Sequence, residues 1–337
     1  MRKATVKYST ASPLLRLLDE ELQRLAKSLP ARFWEQALVG PAREFLRRSG
    51  KEFRARLVQA GWRLAGGSAL GPPLELLLAV ELVHAGSLII DDVQDGAVTR
   101  RGDSALHHMV GLPLAINTGG WLYFLPLSLV ERAGLDAETT AAIHLRMRQA
   151  MLACHEGQAL DLAWRVTDLD QADVASVVAE TTARKTASLT KAAAAMGALA
   201  AGGSPACVQG LAAFGHELGV GLQMFDDVGS LTSRDRAEKC AEDLRGARPT
   251  WPWAWVAQDC EPEAYLDLLQ EARAVEAGAS HEVLAGQLAT RVAETGPARA
   301  RAQLRHAFGR LRATCPSSPV LQQVERDFRG LDESYGV

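Results

Sequence analysis

Apolar residues recur along this chain at the spacing of helices, close to 3.6 residues, and seldom alternate as they do in strands. Ala, Leu, Glu and Arg fill the periodic segments, which favours helix. Gly, Pro and Ser mark the short connections, as at residues 66–68 and 202–205. The pattern predicts helices over residues 12–28, 31–48, 52–66, 71–95, 112–132, 136–163, 170–182, 184–201, 205–229, 251–259, 262–275, 278–294, 297–313 and 317–329.

No long linker or low-complexity segment separates the predicted helices, so we expect a single all-α domain over residues 1–337. A chain of this length can bury a large core, although length alone would also allow two domains. The longest apolar run, residues 74–90, is interrupted by Glu75, Glu81 and His84 and is short for a membrane span. We interpret it as a buried helix and expect no stable membrane insertion.

Composition excludes some classes of protein without identifying one. Hydrophobic residues make up 47% of the chain and charged residues 23%, which is an ordinary composition. The net charge of -3 gives no global field that would attract nucleic acid. The five cysteines are odd in number and widely spaced, which argues against a disulfide framework or a zinc site and favours reduced thiols in the cytoplasm. Residues 1–12 are polar and contain no apolar signal segment.

Two acidic clusters, about 135 positions apart, point to the chemistry. Asp91, Asp92 and Asp95 form the first acidic cluster, and Asp226 and Asp227 form the second. Each follows an apolar helical run, and residues four apart, such as Asp91 and Asp95, lie on one face of a helix. Like charges this close repel unless a cation lies between them. Such oxygen ligands suit Mg²⁺, which proteins bind through few carboxylates together with phosphate oxygens and water.

Basic residues follow both clusters. Arg100 and Arg101 come after the first, and Lys239 and Arg248 come after the second. These side chains are natural partners of phosphate groups. A solvated helix end is the alternative explanation for one acidic cluster alone. Two acidic-then-basic arrangements in one chain favour a phosphate-binding site.

The helix that ends near Asp95 carries a stripe of residues below its acidic end. His84, Ser87 and Leu88 share a helix face with Asp91 and Asp95. A pocket lined by this stripe would be acidic at its mouth and apolar below. That shape suits an amphiphile with an anionic head and a hydrocarbon tail.

Six short motifs lie in order along the chain: GKxxR at 50–54, HxxSLxIDDxxD at 84–95, RRG at 100–102, HxGQxxD at 155–161, KT at 185–186 and QxxDD at 223–227. Their order and spacing resemble those of the trans-isoprenyl diphosphate synthase (polyprenyl synthetase) family. The resemblance covers roughly residues 45–255 and is closest to the eukaryotic type of geranylgeranyl diphosphate synthase.

The resemblance implies the isoprenoid synthase fold, a helical bundle around a central active-site cavity. It implies a head-to-tail condensation of isopentenyl diphosphate with dimethylallyl, geranyl or farnesyl diphosphate, and geranylgeranyl diphosphate as the product. It further implies Mg²⁺ as the cofactor, with three ions when substrate is bound, and a homodimer. Small isoprenyl diphosphates are the implied partners.

The same resemblance implies roles for individual residues. The implied metal ligands are Asp91, Asp92, Asp95, Asp226 and Asp227. The implied contacts of the allylic diphosphate are Arg100, Lys185, Lys239 and Arg248, with Gln158 and Asp161 near its head group. The implied contacts of isopentenyl diphosphate are Lys51, Arg54, His84 and Arg101. Thr186 and Gln223 complete the catalytic set as neighbours of the departing proton.

Chain length is expected to depend on residues around and below the first acidic cluster. The small residues Gly86 and Ser87, about one turn before Asp91, would let a growing chain pass. Tyr123, Phe124 and His155 resemble the residues that stop chain growth at twenty carbons in the eukaryotic type. The alternative is that these aromatics belong to the core and that His155 is a hydrogen-bonded buried histidine.

Departures from the family pattern leave other functions open. Ser230 stands where many members have a third Asp, and Arg248 replaces a Lys. The segment Trp251-Pro252-Trp253 is unusual, and it could line a site for an indole-like acceptor, although packing at a helix start is the favoured explanation.

Two alternative functions follow. A related prenyltransferase with such an acceptor, or a terpene synthase that cyclises the chain, would use the same allylic site, although Arg234 stands where the usual cyclase motif needs Glu. A non-catalytic partner subunit is the other alternative, but such a subunit should have lost the metal-binding aspartates.

Overall fold

The structure, a computed structural model, describes residues 12–48, 50, 52–233 and 236–328. The chain divides into two compact units. The first contains residues up to Arg56 together with Pro72–Thr140, and the second contains Leu57–Gly71 together with the residues from Ala141 onward. Two of the points of division fall within α4 (Phe53–Leu64) and α8 (Ala137–Ala163), and the third falls between Gly71 and Pro72. The expectation of a single domain stays a prediction.

The first unit is built from helices and one short hairpin. Its helices are α1 (Pro13–Leu25), α2 (Ala31–Trp34), a π-helical turn (Glu35–Val39), α3 (Gly40–Leu46), α5 (Leu74–Asp95), α6 (Leu106–Val110) and α7 (Leu112–Arg132). The antiparallel hairpin joins β1 (Thr99–Arg100) to β2 (Asp103–Ser104), with Thr99 opposite Ser104.

The second unit contains helices alone among its described residues. Besides most of α4 and α8, they are a 3-10 turn (Val166–Asp168), α9 (Gln171–Thr181), a π-helix (Thr182–Thr186), α10 (Ala187–Ala200), α11 (Pro205–Thr232), α12 (Ala237–Arg245), α13 (Trp251–Asp259), α14 (Pro262–Glu276), α15 (Glu282–Val292), α16 (Thr295–Thr314) and α17 (Pro319–Asp327).

In the first unit, α5 and α7 pack at very short range. A Cβ atom on Gly86 would lie 2.8 Å from the carbonyl oxygen of Gly119, and a Cβ on Gly119 would lie 2.8 Å from Ile90 Cδ1. The close approach of the two backbones therefore requires glycine at both positions. Leu82, Ile89 and other apolar residues of α5 are buried. This packing fixes the helix that carries the first acidic cluster.

In the second unit, glycines and alanines bring α10 close to its neighbours. A Cβ on Gly215 of α11 would lie 2.5 Å from the carbonyl oxygen of Thr190, and a Cβ on Gly197 would meet the Val58 carbonyl of α4. Since α10 is buried along nearly its whole length, it forms the centre of this unit. The helices that carry the second acidic cluster and the KT motif are thereby held against each other.

A second hydrophobic cluster surrounds α13. Trp253 and Trp255 are buried there, and the Trp253 ring packs edge-on against Tyr265, with 6.2 Å between ring centroids. Pro252 lies in the first turn of the helix, where its missing N–H has no cost. For these two tryptophans the expected packing at a helix start is confirmed.

The predicted all-α class is confirmed, and most predicted helix bounds agree with the structure within a few residues. The helix predicted over 31–48 is interrupted by the π-helical turn, and the hairpin, α6 and α12 were not predicted. Within the described part of the chain, no helix combines the length and the apolarity that crossing a membrane requires.

Candidate active site

The first acidic cluster lies in the last turn of α5, which ends at Gly96 with a φ of 65°. The negative end of the helix dipole adds to the repulsion between its carboxylates. Arg100 offsets this repulsion: its Nε donates to Asp92 Oδ1 at 2.6 Å, and its Nη2 lies 3.6 Å from Asp91 Oδ2. Burial nevertheless raises the pKa of Asp92, with Arg100 opposing the shift.

The RRG motif forms the tight turn of the β1–β2 hairpin. Arg101 and Gly102 both have positive φ, 54° and 82°, as a two-residue turn of this kind requires. The buried Arg48 holds the turn, because its guanidinium donates to the carbonyl oxygens of Arg100 at 3.1 Å and Ser104 at 2.9 Å. The hairpin thus fixes Arg100 and Arg101 beside the end of α5.

Most residues predicted to bind isopentenyl diphosphate come together in the first unit. Burial lowers the pKa of His84 well below its ordinary value, and the nearby Arg54, Arg101 and Arg100 lower it further. Glu81 stabilises the start of α4 by accepting a hydrogen bond from the Ala55 N–H at 2.9 Å. The region therefore combines three arginines with a neutral histidine, as an anion site needs. Lys51 lies outside the described residues.

The second acidic cluster has cations of its own. Asp226 pairs with both Arg236 and Lys239, and Arg236 also donates to the Asp226 carbonyl oxygen at 3.0 Å. Burial alone would raise the pKa of Asp226, but Lys239 and Arg236 outweigh it and lower that pKa. Burial likewise opposes the charge on Lys239, but Asp226, Asp243 and Asp227 outweigh it and raise the pKa of Lys239.

Asp161 joins two of the cations predicted to hold the allylic diphosphate. Lys185 Nζ and Arg248 Nη1 each donate to Asp161 Oδ2 at 2.7 Å. Gly157 allows this arrangement, because a Cβ there would collide with the backbone nitrogen of Lys185. Gln158 is half-buried on the same helix. The structure thus places a direct carboxylate contact on these cations, which the sequence did not predict.

Asp227 differs from its neighbour Asp226 in its contacts, since its carboxylate accepts hydrogen bonds from an amide side chain and a backbone N–H. Its Oδ1 accepts a hydrogen bond from Gln223 Nε2 at 2.7 Å, and its Oδ2 accepts one from the Trp251 backbone N–H at 2.9 Å. Gln223 in turn accepts a hydrogen bond from Thr186 Oγ1 at 2.8 Å. Burial raises the pKa of Asp227 to about 7. Its role as a metal ligand stays a prediction, and these contacts favour a structural role.

The donor chemistry of the first cluster fits Mg²⁺. Asp92 is 1% exposed, and its Oδ2 accepts no hydrogen bond from the described residues, a situation that costs about 1–3 kcal/mol. Across those residues, no three His, Cys, Asp or Glu side chains converge to form a complete metal site. A metal bound through few carboxylates and completed by substrate phosphates agrees with both observations.

The chain-length role of the expected residues stays a prediction, and their exposure differs from one to the next. Tyr123 is buried, but Phe124, one position further around α7, is 67% exposed, and His155 is exposed with Nδ1 2.8 Å from the Met151 carbonyl oxygen. Gly86 contacts α7 through its backbone, so its smallness serves helix packing. Ser87 is half-buried and its role stays a prediction.

A cavity of about 100 Å³ lies between α8, α10 and α11 in the second unit. Its walls include Ala150, Ala192, Ala195 and Ala212, with Arg146 and other polar residues also lining it. Ser188, which also lines the cavity, is less than one helical turn from Lys185 along the chain. The walls combine small apolar side chains with the charged residues Arg146 and Lys191.

Comparison with known proteins now places the chain. Residues 35–285 match the family model for polyprenyl synthetase. The chain belongs to this family.

Curated proteins with sequences similar to this polyprenyl synthetase are named as isoprenyl diphosphate synthases. It is 37% identical over 187 residues to a geranylgeranyl diphosphate synthase of Mycobacterium tuberculosis, covering 53% of this chain and 50% of that protein. It is 31% identical over 193 residues to a short chain isoprenyl diphosphate synthase of Methanothermobacter thermautotrophicus, covering 57% of this chain and 58% of that protein. The chain thus matches about half the length of these relatives.

Solved structures support the isoprenoid synthase fold. The geranylgeranyl pyrophosphate synthase of Corynebacterium glutamicum, solved with isoprenyl diphosphate and magnesium, has a TM-score of 0.76 and 22% identity, with 96% of each chain covered. At this identity the likeness concerns the fold. The predicted fold of the polyprenyl synthetase family is confirmed.

Sequence reasoning missed three residues of the site. Arg48 holds the RRG hairpin, Arg236 pairs with Asp226, and Trp251 binds Asp227 through its backbone. A single Arg or Trp outside a motif gives no local signal. Only the position of Arg48 just before GKxxR, and of Arg236 between the second cluster and Lys239, could have drawn attention to them.

Proposed function

We propose that this chain is a prenyltransferase that condenses isopentenyl diphosphate with an allylic diphosphate, head to tail, into a longer trans-isoprenyl diphosphate. The observation that carries the proposal is the pairing of each acidic cluster with cations, Asp92 with Arg100 and Asp226 with Arg236 and Lys239. Carboxylates for a metal next to cations for phosphate are what two diphosphate substrates need. The names of the curated relatives support the same activity.

Mg²⁺ is the proposed cofactor, with three ions when substrate is bound, held by Asp91, Asp92, Asp95 and Asp226, with Asp227 the weakest candidate. When bound, Mg²⁺ neutralises the diphosphate as the allylic C–O bond ionises. The carboxylate chemistry and the partnerless Oδ2 of Asp92 among the described residues support this assignment.

Arg100, Lys185, Lys239 and Arg248 would bind the oxygens of the allylic diphosphate. Each is already fixed by a carboxylate, as Lys185 is by Asp161, so that little side-chain entropy remains to be lost on binding. Gln158 and Asp161 would orient these cations. Exchange of a carboxylate oxygen for a phosphate oxygen conserves the charge balance at each cation.

Arg54, Arg101, His84 and Lys51 would bind isopentenyl diphosphate. Because burial and the arginines keep His84 neutral, it can donate a hydrogen bond to a phosphate oxygen without adding another positive charge. Positioning the alkene against the allylic carbon makes the attack effectively intramolecular. Thr186 and Gln223, hydrogen-bonded to each other at 2.8 Å, would lie near the proton that leaves last.

The proposed product is geranylgeranyl diphosphate, formed in the cytoplasm. The alanines in the wall of the second unit's cavity, which Arg146 and Lys191 also line, offer a small apolar surface for part of a growing tail. Each isoprene unit buried there contributes about 4 kcal/mol, at about 0.8 kcal/mol per carbon.

The direct test incubates the purified protein with Mg²⁺, isopentenyl diphosphate and, separately, dimethylallyl, geranyl and farnesyl diphosphate. Mass spectrometry of the dephosphorylated products should find the twenty-carbon alcohol. Asp91→Ala should lower turnover by about a hundredfold or more, since it removes a metal ligand, while its circular dichroism stays helical. Absence of any elongated alcohol with every primer would refute the proposal.

A further inference from the structure

The π-helix Thr182–Thr186 interrupts the path from α9 to α10 in the second unit. It carries Lys185 and Thr186, both of which contact other site residues. π-helical turns are rare and are frequently found at functional sites. Because such a turn is less favourable than α-helix, contacts from elsewhere in the fold must hold it.

Side chains from two other helices hold the two ends of this turn. At its last residue, Thr186 Oγ1 donates to Gln223 Oε1 of α11 at 2.8 Å. At its first residue, Thr182 Oγ1 accepts a hydrogen bond from the indole Nε1 of Trp251, the first residue of α13, at 3.1 Å. Lys185 lies between these two fixed points.

Asp227 connects the two holding residues to each other. Gln223 Nε2 donates to its Oδ1 at 2.7 Å, and the Trp251 backbone N–H donates to its Oδ2 at 2.9 Å. The hydrogen bonds therefore form a closed circuit that runs from Thr182 through Trp251, Asp227 and Gln223 to Thr186 and returns through the π-helix. Trp251 is the one member that supplies two donors to it.

We propose that Trp251 is a positioning residue of the diphosphate site: its indole and backbone N–H groups tie the π-helix to Asp227 and thereby set the position of Lys185. This inference rests on the proposed function, in which Lys185 binds the diphosphate of the allylic substrate. The indole N–H is essential to it, since Phe or Leu at this position would keep apolar packing but leave Thr182 without its donor. Buried polar networks of this kind fix one geometry when every member is satisfied.

Trp253, two residues further along α13, provides the matched control. It is 1% exposed, and its Nε1 has no hydrogen-bond partner among the described residues. Trp253→Phe therefore makes the same chemical change in the same helix, with loss of packing but without loss of a hydrogen bond. It separates a general effect on folding from the specific effect of the circuit.

The experiment compares Trp251→Phe, Thr182→Val, Thr182→Ser and the double variant Trp251→Phe/Thr182→Val with wild type and Trp253→Phe. Calorimetry measures the affinity for inorganic diphosphate with Mg²⁺, and steady-state kinetics measures KM for each substrate. We expect Trp251→Phe and Thr182→Val each to weaken diphosphate affinity by roughly three- to tenfold, the loss typical of one hydrogen bond. The double variant should be no weaker than either single variant, since both remove the same bond.

Further readouts distinguish positioning from folding. KM for the allylic substrate should rise with the loss of diphosphate affinity while KM for isopentenyl diphosphate stays constant, and Thr182→Ser, which keeps the hydroxyl, should retain wild-type affinity. Trp253→Phe should lower the melting temperature but not the affinity. Hydrogen exchange of amides 182–186 in metal-free protein should be faster in Trp251→Phe than in wild type.

Equal affinities of Trp251→Phe and wild type, or additive effects of the two single variants, would overturn the positioning role. If Trp251→Phe fails to fold, Thr182→Val removes the same bond and decides the question alone. A wild type that binds diphosphate in this Trp251-dependent way but forms no prenyl product would refute the proposed function and support the positioning role.

Discussion

Each strongly buried carboxylate of the candidate site has a partner within the chain. Asp92 contacts Arg100, Asp161 contacts Lys185 and Arg248, and Asp227 accepts two N–H groups. Pairs of this kind add little net stability, because desolvation cancels most of the attraction, but loss of one partner leaves an uncompensated buried charge. The side chains are therefore held in place without substrate, and under the proposed function substrate phosphate would replace the internal partner at each cation.

His84 gives a residue-scale prediction about stability and pH. Burial, with help from Arg54 and Arg101, lowers its pKa in the folded state, whereas the unfolded value is about 6.5. Between these two values the unfolded chain binds a proton that the folded chain does not. The contribution of neutral His84 to the free energy of unfolding is thus fully present above pH ~6.5. Below that pH it falls by up to about 1.4 kcal/mol per pH unit.

His84→Gln should remove this dependence while keeping a polar side chain of similar reach. Urea unfolding of both proteins at pH 7.5 and pH 5.5 measures the effect, and the wild type should lose more stability between the two conditions than the variant. The same loss in both proteins would show that His84 does not titrate as its surroundings indicate.

Regular elements follow from the sequence, whereas their interruptions do not. The apolar period predicts α5 and α7 because one helix face meets the core at every turn. The π-helical turn before Gly40 and the π-helix at Thr182–Thr186 depend on contacts with distant residues, such as that between Trp251 and Thr182. A local pattern carries no information about such contacts. The hairpin is too short to show alternation.

The candidate site shows the same division. The motifs predicted the two acidic clusters and their cations, because carboxylates and guanidinium groups at fixed spacing have few other uses. The assignment of Phe124 and Gly86 to a tail pocket stays a prediction, since it depends on which way each residue faces on a packed helix. The direction in which a residue points is decided by how its helix packs against its neighbours, and a single sequence does not reveal that packing.

Gly157 gives a prediction at the scale of two packed elements. A Cβ atom there would collide with the Lys185 backbone and lie 2.8 Å from Arg184 Cβ, so α8 would have to move away from the π-helix. Gly157→Ala should lower the free energy of unfolding by about 1–3 kcal/mol, as overpacking does. It should also weaken diphosphate binding, because Lys185 and Asp161 would separate.

Gly309→Ala is the control, since Gly309 lies within α16 and a Cβ there meets nothing within 4 Å. In an exposed helix interior this change should raise stability by about 0.5–1 kcal/mol. Denaturant unfolding and diphosphate calorimetry of both variants give the comparison. Equal stability changes at the two glycines would contradict the close contact between α8 and the π-helix.

At the scale of the whole molecule, the family match ends at residue 285, but the fold match to the Corynebacterium structure covers 96% of the chain. The packing of α16 against α11 explains why the similarity of fold extends beyond residue 285. A Cβ on Gly221 of α11 would lie 2.8 Å from Leu304 Cδ2, and Gln303 Nε2 donates to Glu217 Oε2 at 2.7 Å. The α16 helix thus supports α11, the helix of the second acidic cluster, from outside the residues that the family model matches.

The surface of α7 leads to a prediction about assembly. Leu112, Ile116 and Phe124 lie on one face of this helix, at spacings of four and eight, and are 50%, 46% and 67% exposed. Gly120 continues the same stripe, with open space around its Cβ position. An apolar stripe on a helix otherwise buried against α5 marks an interaction surface. A second copy of the chain is the proposed occupant, because a two-fold dimer buries the same stripe from both protomers.

Phe124→Asp and Ile116→Asp should therefore dissociate the homodimer, since each would place a charge in an apolar contact. Sedimentation velocity at micromolar concentration should find a dimer for wild type and a monomer for both variants. Leu70→Asp is the control: Leu70 is 97% exposed and lies away from the stripe in sequence, so a charge there should leave the dimer intact. A monomeric wild type would refute the assembly, and dimeric variants would move the interface to another face.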